Sequence, residues 1–216
     1  VTWYFGIAAA LSAAPSSNTT TGVTISNVAN GNNLGGSATL LSTTSASNTY
    51  PGFSAAGNAG AAAISGALNA TSSTYFEFTV TPINGNNVSL TGINFGSRST
   101  GTGPVGYALR SSLDNFASNI NTASGTLVAN SNWALISPVI TATQASSSPV
   151  VFRIYGFGGT ATAPNTVTWR IDDLKLTLAV ALNPALSSPT TANACSGVNF
   201  AYTPTTNYTG STITWT

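Results

Sequence analysis

Residues Thr74–Thr81 read TYFEFTVT and alternate without exception. Phe76, Phe78 and Val80 fall on one face, and Tyr75, Glu77 and Thr79 on the other. A period of two marks a strand with one face buried. Pro82–Asn87 then supplies a turn, and Asn87–Gly96 follows with a slip of phase. Val88 and Leu90 share one parity, Ile93 and Phe95 the other. A bulge at Thr91–Gly92 keeps all four inward, because one extra residue restores the parity. Val105–Ser111 is a further strand, with Val105, Tyr107 and Leu109 in phase, and so is Val150–Phe157, with Phe152 and Ile154 opposite Arg153 and Tyr155. The last long strand is Asn165–Val180. There Trp169 and Ile171 point one way, while Leu174, Leu176, Leu178 and Val180 have the other parity. The switch falls at Asp172–Asp173, which predicts a bulge or sharp twist.

Upstream the signals are weaker. Val1–Phe5, Gly22–Val28 and Ala38–Thr43 read as short strands between small-residue loops at Ser16–Thr21, Asn30–Gly36 and Ser54–Ala63. Gly60–Leu68 is the place for a helical turn, although Ser65 and Gly66 weaken it. No long segment carries a 3.6-residue period. Several strands separated by Gly, Asn, Ser and Pro turns predict an all-β protein, an antiparallel β-sandwich over residues 1–182. Asn183–Thr190 (NPALSSPT) has two prolines and reads as a linker. Val198–Tyr202 and Ser211–Thr216 are two short strand signals beyond it. A stretch as short as 191–216 cannot bury a core alone, so it is either an incomplete second module or an extra pair of strands on the first.

Composition narrows the function. The 216 residues include five basic and four acidic ones and no histidine, a net charge of +1. All of these charges lie between Glu77 and Lys175. Five scattered cations cannot build the basic face a nucleic acid requires. Histidine-dependent hydrolysis and the usual zinc ligand sets are likewise disfavoured. The apolar runs Gly60–Leu68 and Leu174–Leu182 are short of the roughly 20 residues of a membrane-spanning helix, so no membrane insertion is expected. A surface of hydroxyls and amides suits life outside the cell, against glycans or copies of the same chain. Gly6–Ala14 looks superficially like a signal-peptide core, but it follows a strand-like start and lacks a basic flank. Val1 is therefore taken as a start from which the signal has been removed. The single cysteine, Cys195, sits in a Ser/Gly-rich loop. An odd cysteine in a secreted chain suggests a partner outside the sequence.

The stretches YFEFTVTP, LTGINFGSRSTGTGP, YALRSSLDNFAS, VVFRIYGFGG and WRIDDLKLTL together resemble a jelly-roll-like domain. That domain occurs in large surface and secreted proteins exported by gliding bacteria through the type 9 secretion route. The resemblance covers about residues 1–180 and takes in the opening TWYFG and GNNLGGSATLLSTTSAS. Separately, ACSGVNFAYTPTTNYTGSTITWT resembles the opening of the PKD-like, Ig-fold repeats of the same proteins. It implies a partner for Cys195 later in that module, contact with the secretion machinery during export, and neighbouring domains in a longer chain. It implies location and architecture, and no mechanism.

The candidate chemistry is sparse. Four acids are present: Glu77, Asp114, Asp172 and Asp173. A glycosidase needs two carboxylates facing each other across a cleft. Asp172 and Asp173, adjacent on a strand, point to opposite faces unless the bulge intervenes. Structural ion pairing is the expected role for the acids, since a half-buried charge is costly unpaired. Their partners are to be sought among Arg98, Arg110, Arg153 and Arg170, with Asp114 facing Arg110 and with Glu77 and Asp172 as the other candidate members of such pairs. Asp114 also suits an Asx-type turn. No cofactor is expected. Calcium is the one metal with candidates, Asp172 and Asp173, helped by carbonyls or amides. Trp3 and Trp169 read as core. Trp133, in SNWAL, also reads first as core, yet it is the best candidate for an exposed sugar platform, with Tyr107 or Tyr155 beside it.

The expectation is a non-enzymatic, extracellular adhesive or structural module of a large secreted or cell-surface protein. Self-assembly into a filament is one form of it. The alternative is a carbohydrate-binding module of a secreted multidomain enzyme.

Overall fold

The computed structural model describes residues 1–6, 12–36, 40–54, 56–120, 123–189, 191, 196–197, 199 and 201–213. Two compact units are found, Val1–Ala181 and Leu182–Thr216.

Among the described residues the first unit holds thirteen strands: β1 Thr2–Trp3, β2 Ser12–Ala13, β3 Val23–Ile25, β4 Val28–Gly31, β5 Leu41–Ser42, β6 Asn58–Ala61, β7 Tyr75–Pro82, β8 Asn87–Ser99, β9 Gly106–Ser111, β10 Ser124–Thr126, β11 Trp133–Ile136, β12 Val150–Phe157 and β13 Trp169–Ala181. They form two antiparallel sheets. The first has the order β11-β8-β13-β6-β5, with β1 also pairing β13. The second has the order β10-β9-β12-β7-β4-β2, with β3 also pairing β7. From β6 to β13 the chain changes sheet at every connection except β9–β10. This gives β6-β13-β8-β11 in one layer and β7-β12-β9-β10 in the other, the wrapping of a jelly roll. The early strands β1 to β5 extend both layers.

The alternation read at Thr74–Thr81 is realised in β7, where Phe76, Phe78, Val80 and Pro82 are buried and the intervening residues half-buried. Facing aromatics fill the space between the layers. Trp169 packs on Phe76 with ring centroids 4.7 Å apart, Trp3 on Phe78 at 5.5 Å, and Phe95 edge-on to Tyr107 at 5.8 Å. Each such ring removes roughly 150–250 Å² from water, so a handful dominate the core. The Trp169 indole N–H donates to the Ser97 hydroxyl at 3.1 Å, which satisfies its one polar group inside the core.

Both expected bulges are present, and both lie in the pairing of β8 with β13. Thr177 opposes Gly92 and Leu178 opposes Leu90, so Thr91 is the extra residue on β8. Asp172 opposes Gly96 and Lys175 opposes Asn94, so two residues of β13, Asp173 and Leu174, face one of β8. Asp173 takes a left-handed φ of 44° there. The result is that Trp169, Ile171, Leu174 and Leu176 are all buried despite their opposite parities.

Other expectations fail locally. Gly60–Leu68 contains no helical turn. Asn58–Ala61 is instead a strand, wholly buried and paired with Trp169–Ile171. Pairing with a central strand overrides a weak local preference here. Gly60 lies where a Cβ would come within 2.7 Å of Val167, which explains the small residue. Val105 is outside β9 and 47% exposed, so it does not join Tyr107 and Leu109 in the core.

In the second unit, Leu186 bridges Thr206, and the Ala185 N–H donates to the Asn207 side chain at 2.8 Å. No strand occurs among its described residues. The signals at Val198–Tyr202 and Ser211–Thr216 fall partly outside the described residues, and Cys195 and Trp215 fall wholly outside them. Among the described residues no helix is long and apolar enough to cross a membrane.

Trp169→Ala is expected to cost about 3–5 kcal/mol, read as a lower urea midpoint at unchanged slope. Val128→Ala, at a position 67% exposed, should stay within about 0.5 kcal/mol of the parent.

Candidate functional site

The bulge in β13 decides what lies on the outer face of the first sheet. Adjacent residues on a regular strand point to opposite faces. With an extra residue in a left-handed conformation, Asp172 and Asp173 instead both serve that outer face. Leu135, Gly96 and Asp172 form one row across β11, β8 and β13, and Trp133, Arg98 and Arg170 form the next.

The connection 43–57 between β5 and β6 lies over these rows. It contains a single 3₁₀ turn at Ser47–Thr49 followed by Tyr50-Pro51-Gly52-Phe53. Phe53 stacks against Tyr50 with centroids 4.5 Å apart and meets Trp133 edge-on at 6.0 Å. It sits directly over Gly96, where a Cβ would come within 2.4 Å of its ring. Glycine at 96 is thus required by the close approach of the ring. The Trp133 indole N–H donates to the Ser45 carbonyl at 3.0 Å, and the Ser54 N–H donates to the Asp173 carboxylate at 2.8 Å, which ties the loop down at both ends.

Beside this lid is an open depression of about 320 Å³. Tyr4, Tyr50 and Phe53 supply aromatic faces, and Asn94, Asp173 and Lys175 supply polar groups. Tyr4 is 42% exposed, and Lys175 is exposed on β13. Sequence reading had missed the three aromatics. The available signal was the pair of rings flanking a Pro-Gly turn at Tyr50–Phe53 in an otherwise small-residue stretch.

Beneath the lid the electrostatics are unusual. Asp172 is fully buried, and neither carboxylate oxygen has a hydrogen bond of full geometry. Burial pushes its pKa up to about 7. The nearby Ser47 hydroxyl and Asp173 amide offset part of that rise, and the Asp173 charge adds to it. Burial also raises Asp173, against the opposing Ser54 contacts, and its second oxygen has no partner. Arg170 does not pair with Asp172. Its guanidinium donates to Asn58 at 2.8 Å and to Ser42 at 2.9 Å. Burial pushes it down to about 10, with Arg98 adding repulsion. That pair fails to form because Asn58, at the start of β6, supplies a neutral acceptor closer to hand.

Among the other acids, one ion pair forms. Glu77 and Arg153 do pair, at 2.6 Å across β7 and β12, and this is the one ion pair found among the described residues. Arg153 also lies over the Tyr75 and Phe116 rings, at 4.2 and 4.1 Å. Arg110 and Asp114 do not pair. Arg110 donates to Asn119 and to the Phe116 carbonyl, both at 2.9 Å. Asp114 does accept backbone N–H groups, but those of Ala117 and Ser118, three and four residues on, in place of the two of an Asx turn. Trp133, Tyr107 and Tyr155 do not assemble into a platform. Trp133 is on the first sheet and 8% exposed, while Tyr107 and Tyr155 are on the second, at 6% and 0%. Trp133 is covered by the lid, Tyr107 by the core, and the Tyr155 hydroxyl is taken up by the Ala70 carbonyl.

Two outcomes follow. Asp172 has a folded-state pKa near 7 against 3.8 unfolded, so between those values the native state binds more protons than the unfolded one. Stability should therefore fall as pH rises from about 4 to about 7 and level off above, a slope set by linkage. In metal-free buffer, Asp172→Asn should flatten this slope in urea-unfolding curves taken across that range. Asp114→Ala removes an acceptor for two backbone N–H groups and should cost about 1 kcal/mol, seen as a lower melting temperature. Comparison with protein-family models, curated proteins and solved structures finds no match for this chain.

Proposed function

We propose that this sandwich is a non-enzymatic binding module of an exported surface protein, and that its ligand is a glycan held in the depression beside the lid. The observation that carries this reading is the composition of that depression: Tyr4, Tyr50 and Phe53 beside Asn94, Asp173 and Lys175, on a chain with few charges elsewhere. A sugar presents apolar C–H faces to rings and hydroxyl pairs to amide and carboxylate groups. Its volume falls at the small end of the range for ligand sites. Tyrosines suit such a place because one side chain offers an apolar body and a polar tip.

The acids favour holding over turnover. Glu77 is committed to Arg153, Asp114 to its turn, and Asp172 is buried. Asp173 alone reaches the depression, whereas glycoside hydrolysis uses two carboxylates. The resemblance to jelly-roll-like domains of type 9 exported proteins supports a place at the cell surface within a longer chain. On the same basis residues 191–216 are read as the opening of a PKD-like repeat, with 183–190 as a linker.

A glycan array followed by calorimetry tests the reading. Saturable binding of one glycan class is expected, with a loss of at least about tenfold for Tyr50→Ala, the size of one lost ring contact. Val128→Ala, outside the depression, should bind like the parent. Absence of saturable binding across a broad array, or unchanged affinity in Tyr50→Ala and Tyr4→Ala together, contradicts it.

A further inference from the structure

The buried acids under the lid point to a second site, which shares Asp173 with the depression. Asp172 is a wholly buried carboxylate whose oxygens have no hydrogen bond of full geometry, only the Ser47 hydroxyl and the Asp173 amide close by, and Asp173 has one oxygen without a partner. An ionised carboxylate in that condition is expensive, and proteins normally pair it or let it coordinate a metal. Arg170, the cation in the adjoining row, is already engaged by Asn58 and Ser42.

One oxygen donor stands beside Asp172, and three carbonyls cluster next to that donor. The Ser47 hydroxyl lies near Asp172 and donates to the Gly57 carbonyl at 3.4 Å. The Phe5 and Gly6 carbonyls crowd Gly57 so closely that a Cβ there would come within 2.0 and 2.6 Å of them. Phe5 itself is held at a left-handed φ of 35°, which is uncommon for an aromatic residue. This convergence has a topological cause. On one edge of β13, β6 pairs Trp169–Ile171 and β1 pairs Leu174–Lys175. The two acids occupy the gap between them, where neither β6 nor β1 pairs with β13.

We propose that Asp172 and Asp173, with the Ser47 hydroxyl and carbonyls of the adjoining segments 5–6 and 57, bind a calcium ion beneath the lid. The donor set is all oxygen, with two carboxylates to balance a double charge and neutral ligands for the rest, which is the preference of Ca²⁺. With only two acids the affinity belongs to the weak class of extracellular modules, a Kd of about 10⁻⁴–10⁻³ M. The ion would lock the loop 43–57 onto the sheet, because Ser47 and Ser54 both contact the acids from that loop. The site stands whether or not a glycan binds in the depression.

The test is titration of CaCl₂ into the chelator-stripped 216-residue chain, by calorimetry and thermal unfolding. The expected result is one-site binding and a melting temperature higher by about 3–6 °C at ten times Kd. Mg²⁺ should give a much smaller shift, since it demands tighter octahedral geometry. Asp172→Asn should abolish the calcium response and Asp114→Asn should keep it. As a readout independent of the variants, Tb³⁺ bound to the parent chain should show emission sensitised by Tyr50 and lose it to added Ca²⁺. Equal melting curves in calcium and in chelator, an equal response to Mg²⁺, an undiminished response in Asp172→Asn, or no sensitised Tb³⁺ emission would each overturn the proposal.

Discussion

One extra residue in β13 is the constraint on which the rest of the first unit depends. A strand thirteen residues long and central in its sheet must keep a single face toward the core along its whole length. The apolar residues of β13 change parity halfway, so without the bulge either Trp169 and Ile171 or Leu174 and Leu176 would face outward. The backbone absorbs the change at Asp173, in a conformation L residues rarely adopt. That strain has a structural consequence beyond the core. It turns two neighbouring acids onto the same outer face, under a loop that packs Phe53 against Gly96 and Trp133. Core, lid and depression are thus three results of one backbone irregularity.

The small number of charges shapes what such a surface can do. With nine ionised side chains in 216 residues, long-range steering of a charged partner is weak, and association relies on contact. Where charges do occur they are mostly placed against something specific. Arg153 is held between two rings and a carboxylate, Arg170 between an amide and a hydroxyl, and Asp114 caps its own turn. The acids under the lid stand apart from this pattern, which is why they carry the proposal of a metal.

Much of the architecture was legible in the sequence because it depends on a period of two. The strands β7, β8, β12 and β13 could be placed, and both bulges located, from the parity of Val88, Leu90, Ile93 and Phe95 and of Ile171 and Leu174. Asn58–Ala61 was not legible: four small or polar residues carry no alternation, and their strand character comes from pairing with Trp169–Ile171. The ion pairs were half legible. Glu77 and Arg153 sit opposite each other in register, but the partners of Arg110 and Arg170 are amides, and nothing in sequence ranks an amide above a carboxylate. The depression was not legible because its aromatics come from β1's flank and a loop, and only the folded chain brings Tyr4 beside Tyr50. Trp133 drew attention for its polar surroundings in sequence, yet the lid covers it.

The most direct measurement is the unfolding transition of the chain with Asp173 deleted, beside that of Asp173→Gly. Deletion returns β13 to an unbroken alternation and should abolish cooperative unfolding, because half of the strand's apolar side chains then face water. Glycine keeps the extra residue and accepts its left-handed φ, so that variant should unfold cooperatively with a midpoint close to the parent's. A deleted chain that unfolds at the parent's midpoint would contradict the account.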